Sequence, residues 1–140
     1  MSELRSNTAP EPVGAYPHAR RVGELVFLSG IGPRKRGSKE IPGVVLNADG
    51  SVKDYDFEKQ CRACFENVRT VLEEAGSSMD KVVDVLAFLT DMKRDFVVYN
   101  RLWAEYFPVN QPCRTTIEVS RLPQAGRAPI AFEMKVVARI

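Results

Sequence analysis

The chain predicts an α+β fold, a mostly antiparallel sheet with two helices on one of its faces. Three observations carry that reading. Short β-branched runs bounded by Gly and Pro mark strands, and two stretches with apolar residues three and four apart mark amphipathic helices. Their order, β-β-(β)-α-β-α-β-β, interleaves the helices with strands. At 140 residues the chain fits one domain of common size, read as 1–140.

The first twelve residues, polar and carrying Pro10 and Pro12, read as an extended arm. Ala19 to Val22 and Leu25 to Ser29 flank Gly23-Glu24, the pattern of a tight hairpin. That places Ser29 and Gly30 at a strand end. From Pro33 to Asp54 the composition shifts to a basic cluster (Arg34, Lys35, Arg36, Lys39) with recurring glycines. A long loop with one short strand at Val44-Val45-Leu46 is expected, and loops of that length are usually functional or disordered. Asp56 to Ala75 is the clearest helix, with Phe57, Cys61, Cys64, Phe65, Val68, Val71 and Leu72 on one stripe, Asp56 as its cap and Gly76 as its stop. Val83 to Leu89 has too few polar residues for an exposed element and reads as a buried strand. A second helix follows from Asp95 to Phe107, stopped by Pro108, then strands from Arg114 to Val119 and from Ile130 to Ala138, joined by a link with Pro123, Gly126 and Pro129. With both helices on one side, the other face of the sheet would need a partner subunit.

Composition excludes several functions. A formal net charge of +2, from 20 basic and 18 acidic residues, gives no support to nucleic acid or an anionic membrane as main partner. The longest apolar run, Val82 to Leu89, is far below the roughly 20 residues of a membrane span. Three cysteines and the absence of a charged-then-apolar leader pattern point to a reducing cytoplasm. Cys61 and Cys64 fall on the apolar stripe inside a helix, where a structural role is expected; with His18 the lone histidine, four zinc ligands do not assemble. No nucleophile elbow and no glycine-rich phosphate loop occurs, so no metal and no cofactor is implied.

What remains is an arginine and a carboxylate. Pro112 biases the chain toward extended backbone and the run Thr115, Thr116, Ile117, Val119 favours a strand, so Arg114 stands at a strand mouth. Its planar fork suits bidentate recognition of a carboxylate, although residue type alone favours a surface arginine on a solvated strand end, since arginines are mostly exposed. In Ala131-Phe132-Glu133-Met134 the alternation sends Glu133 opposite Phe132 and Met134; an antiparallel neighbour could bring it near Arg114, and a polar residue on a solvated sheet face fits the same pattern.

These motifs resemble the YjgF/RidA family of enamine/imine deaminases. The matching pieces are Ala9-Pro10, Val13-Gly14-Ala15-Tyr16, Leu28-Ser29-Gly30, Phe96 to Asn100, Pro112-Cys113-Arg114, Glu118-Val119-Ser120-Arg121-Leu122-Pro123 and Glu133. The resemblance implies a chorismate-mutase-like subunit assembled as a homotrimer, with pairing into hexamers left open and sites in clefts between subunits. It implies hydrolytic release of ammonia from an enamine or imine carboxylic acid. By motif position it transfers carboxylate binding to Arg114, water positioning to Glu133, and pocket-lining roles to Tyr16, Ser29, Gly30 and Asn100. Two departures stand out. Thr116 occupies the position where the family commonly has a cysteine, and the loop from Pro33 to Asp54 is longer and more basic than in general members. Together they most resemble the members that deaminate 2-aminomuconate in aromatic-compound breakdown; that dicarboxylate has a distal charge for Arg34, Lys35, Arg36 or Lys39 to meet. The alternatives are a general 2-iminoacid deaminase and a non-catalytic trimer that binds small carboxylic metabolites. A ribonuclease or translation inhibitor fits poorly with the charge and with the lack of basic patches interleaved with aromatics.

Overall fold

The structure is a computed structural model that describes residues 2–38, 40–124 and 128–140. Lys39 of the basic cluster and Gly126 of the link before the last strand lie outside the described residues. Chain order gives β1 (Glu3–Leu4), β2 (Ala19–Val22), β3 (Leu25–Leu28), β4 (Val44–Leu46), β5 (Val52–Tyr55), α1 (Phe57–Glu74), β6 (Val82–Leu89), α2 (Met92–Tyr106), β7 (Cys113–Glu118) and β8 (Phe132–Arg139). Six strands form one sheet in the order β1-β2-β3-β8-β6-β7, and β4-β5 form a separate hairpin. Every pairing is antiparallel except β6 with β7, which run parallel because α2 carries the chain back across the sheet.

The helices form where local chemistry places them. Asp56 accepts from the Lys59 N–H at the start of α1, and Gly76 beyond its end takes φ 84°, which an L side chain resists. The apolar stripe of α1 is buried as its spacing predicts. Helix α2 begins at Met92, a turn before the expected start, because Asp91 caps it by accepting from the Arg94 N–H. Asp95 therefore lies inside the helix, buried, accepting a hydrogen bond from the Tyr55 hydroxyl at 2.6 Å. Between helices and sheet sits an aromatic core: Phe65 stacks on Tyr106 at 4.2 Å and Phe132 meets the Phe57 ring edge-on at 5.6 Å.

Three expectations are revised. The N-terminal arm is packed, not merely extended. Its strand β1 pairs with β2, Ser6 and Ala9 are buried, and His18 staples the arm: Nδ1 accepts from the Ser6 N–H at 3.0 Å and Nε2 donates to the Pro10 carbonyl at 2.7 Å. The 33–54 segment carries a two-stranded hairpin rather than one short strand, since Val52–Tyr55 pairs with β4 despite Lys53 and Asp54. Finally, β6 lies between β7 and β8, so the strands bearing Arg114 and Glu133 are not neighbours.

The face of the sheet away from the helices leaves apolar side chains in the open, as the sequence anticipates: Leu25 and Phe27 are each 37 % exposed and Ile117 40 %. No helix among the described residues is long and apolar enough to cross a membrane.

Candidate functional site

Glu133 and Arg114 occupy different surroundings. On β8, Phe132 and Met134 are buried on the helix side and Glu133 points to the open face, as the alternation requires. Beyond the end of β3 the chain keeps pairing with β8, through Ile31 N–H to the Met134 carbonyl (2.8 Å) and Met134 N–H to the Ile31 carbonyl (2.9 Å). That pairing lays Gly30 against the Glu133 carboxylate. A Cβ on residue 30 would stand 2.6 Å from Glu133 Oε2, so any side chain there would have to displace the carboxylate from this position.

The carboxylate opens into a cavity of about 160 Å³ lined by Pro10, Pro12, Val13, Tyr16, Ile31 and Pro123 among others. Burial pushes the Glu133 carboxyl above its ordinary value, and the positive charge of Arg34 works against that rise. Among the described residues nothing donates a hydrogen bond to this carboxylate. Ser29 and Tyr16 line the same cavity with their hydroxyls already engaged. Ser29 Oγ donates to the Pro17 carbonyl at 2.7 Å, and the Tyr16 hydroxyl accepts from the Val13 N–H at 3.2 Å.

Arg114 lies at the outer edge strand on the helix side. Its Nη1 donates to Asn100 Oδ1 at 2.9 Å, and its guanidinium carbon stands 5.0 Å from the ring centres of both Tyr99 and Trp103. Thr116, two residues on, bonds the Tyr99 hydroxyl at 2.9 Å and so fixes the ring beneath the arginine. Asn100 and Arg114 thus come together, as do Tyr16, Ser29, Gly30 and Glu133.

The two groups do not meet within one chain. Arg114 pairs in register with Val85, and Val85 with Val136; Glu133 pairs with Phe88, and Phe88 with Ile117. They are two strands across and three residues along, about 14 Å apart at the backbone by ordinary strand spacing. They also point to opposite faces, Arg114 beside buried Val85 on the helix side and Glu133 beside Phe88 on the open side. The expected antiparallel contact fails because the crossover through α2 inserts β6 between them.

The basic cluster divides. Arg34 is 7 % exposed, lines the Glu133 cavity, and donates through Nη2 to the carbonyls of Pro123 (3.0 Å), Gln124 (3.3 Å) and Ala128 (3.2 Å). Arg36 donates to the carbonyls of Ser6 (3.1 Å) and Ala9 (2.8 Å) and pairs with Glu11, pinning the arm. Lys35 is exposed to solvent. Cys61 and Cys64 are buried, and burial pushes both thiols up; the Cys64 thiol donates to the Ile31 carbonyl at 3.1 Å, a structural role as expected. Sequence reasoning missed the arm as a cavity wall and Asn67, whose amide donates to the carbonyls of Gly32 and Arg34, both at 2.9 Å. The prolines flanking Glu11 were the available signal for the arm.

The geometry agrees with known proteins. The Endoribonuclease L-PSP family model matches residues 6–140. A RutC family protein of Pyrococcus horikoshii is 37 % identical over 133 residues, covering 95 % of this chain and 93 % of that one. The crystal structure of RidA from the Antarctic bacterium Psychrobacter sp. PAMC 21119 superposes with a TM-score of 0.82 at 26 % identity, covering 100 % of both chains. That of E. coli TdcF with bound serine gives 0.81 at 26 % identity, over 100 % of this chain and 99 % of that one. With the α+β sheet, the two helices on one face and the motif residues in the places described, the chain belongs to the YjgF/RidA family.

Proposed function

We propose that this protein is a hydrolytic deaminase of enamine or imine carboxylic acids, with 2-aminomuconate as first-choice substrate and 4-oxalocrotonate and ammonia as products. The observation that carries the reading is Glu133: a carboxylate at a mostly apolar cavity, raised by burial, backed by a glycine and with no donor among the described residues. A group so placed, its proton affinity raised by burial, is suited to proton transfer. The enamine tautomerises to the imine, Glu133 takes a proton from water as the hydroxyl adds to the imine carbon, and protonated Glu133 returns that proton to nitrogen; the carbinolamine then collapses to the keto acid as its hydroxyl proton passes to the departing ammonia. No redox partner enters the balance. Arg114, backed by Asn100 and aromatic rings, grips the carboxylate beside the reacting carbon.

Because the two groups are separated within one chain, the site is composite: Arg114, on the edge strand of one protomer, meets Glu133 of another where the two subunits join, in a closed homotrimer whose uncovered sheet faces pack together. The exposed Leu25, Phe27 and Ile117 on that face support the assembly. The relative solved with bound serine supports a site for a small amino-acid-like ligand. A cavity of about 160 Å³ also suits a small molecule rather than an RNA chain. For the dicarboxylate, Lys35 is the solvent-facing cation among the described residues of the basic cluster and meets the distal charge.

The test is ammonia release by purified protein given 2-aminomuconate beside short-chain 2-iminoacids. Faster turnover of the dicarboxylate is expected. Equal rates make the protein a general 2-iminoacid deaminase, and no turnover of any enamine leaves a metabolite-binding trimer. Mixing inactive Arg114→Ala and Glu133→Gln chains through refolding should restore up to about a quarter of wild-type activity if each site spans two protomers. No restoration would sink the composite site.

A further inference from the structure

Arg34 is unusual for an arginine in the basic stretch where it occurs. Its side chain is nearly as inaccessible as the core, its main chain is held by Asn67 from α1, and its guanidinium gathers three carbonyls from the segment that follows β7. A buried fork bonded in this way cannot swing to a substrate without stripping those carbonyls of a partner, which is costly. It can act only from where it stands.

We propose that Arg34 is a positioning residue for Glu133: fastened to the carbonyls of Pro123, Gln124 and Ala128, it holds that segment against the cavity and fixes a positive charge in the wall it shares with Glu133. The proposal rests on the reading of Glu133 as the proton-transfer group. Its consequence is electrostatic. Burial disfavours the ionised carboxylate, and a cation fixed in the wall restores part of the ionised population that can accept a proton from water.

Among the described residues, the other groups around Glu133 leave this role to Arg34. Glu11, from the arm, pairs with Arg36, and His18 is engaged through both ring nitrogens. The Tyr16 hydroxyl accepts from Val13, and the Cys64 thiol, from α1, donates to the Ile31 carbonyl. On β8 itself Lys135 donates to the Leu28 carbonyl at 2.9 Å. Holding the segment and fixing the charge are thus joined in one side chain.

The experiment follows Glu133 directly, by carbon-detected titration of protein labelled at the glutamate carboxyls, with the resonance assigned by its loss in Glu133→Gln. Arg34→Met should move the Glu133 titration to higher pH, and the acid limb of kcat/KM should move with it. Arg34→Lys, which keeps the charge and three donors, should leave both near wild type. If Arg34→Met fails to fold, Arg34→Gln, which still offers an amide to the carbonyls, carries the same comparison. Asn67→Ala loosens the same stretch of backbone without removing charge and should leave the titration in place. An unmoved Glu133 titration in the folded neutral variant overturns the proposal, as does an equal movement in Asn67→Ala. A moved titration in a protein that turns over no enamine instead defeats the deaminase reading and leaves the effect of Arg34 on Glu133 standing.

Discussion

Arg114 and Glu133 stand on the same sheet, and their settings differ in every respect that matters for chemistry. Arg114 sits at an open edge strand, its fork anchored by one amide and flanked by aromatic rings. Glu133 sits on an interior strand against a glycine, in a cavity where burial raises its proton affinity. A group that grips needs a fixed direction and solvent-facing donors, whereas a group that exchanges protons needs a proton affinity shifted toward neutrality. Each residue has the environment for one task only.

The sharpest way to break that division is Arg114→Ala. Leaving a substrate carboxylate unpaired in a partly desolvated cleft costs roughly 2–5 kcal/mol, so binding of a non-hydrolysable dicarboxylate should fall by more than an order of magnitude. Titration calorimetry reads it, and unchanged affinity would remove Arg114 from the site.

Glu133→Gln should do the reverse: the analogue still binds while turnover falls about a hundredfold or more. Stability should move as well. The folded state raises the Glu133 carboxyl above its ordinary 4.5, so its contribution is fully present below that value and is lost as pH rises through the folded value. The variant should therefore melt above wild type at neutral pH, with the gap closing toward acid pH. A wild type that gains stability over that rise relative to the variant would contradict the burial effect.

Gly30→Ala should cost about 0.5–1.5 kcal/mol, because the new methyl overlaps the far end of the Glu133 side chain and pushes it off its rotamer. The same change made together with Glu133→Ala should cost less, since the clashing partner is gone. Equal costs in both backgrounds would place the strain elsewhere. The smallest effect is expected for Lys35→Ala, an exposed side chain on the basic loop: KM for 2-aminomuconate should rise a few-fold, with KM for a monocarboxylic imine unchanged. Equal effects would make Lys35 a solvated residue of that loop.

Local signals carried most of the secondary structure. The β2–β3 hairpin and α1 fall where turn residues and spacing put them, since those preferences act within a few residues. Strand β5 and the early start of α2 were less legible: Lys53 and Asp54 weaken the strand pattern, and the cap at Asp91 precedes the apolar stripe. The side of β8 that Glu133 takes follows from alternation alone, and the motif residues around Arg114 and Glu133 give the family resemblance.

Three matters were decided only in three dimensions. Strand β6 came to lie between β7 and β8, the arm became a cavity wall stapled by His18, and Arg34 turned inward instead of joining a solvated cluster. Arg34 and Pro123 are 89 positions apart in sequence, and neither residue's neighbours announce the bond between them. Sequence periodicity tells a side chain which face of its own element to take; which element arrives opposite depends on how the whole sheet is threaded, and a buried guanidinium must donate to the carbonyls that threading brings to it.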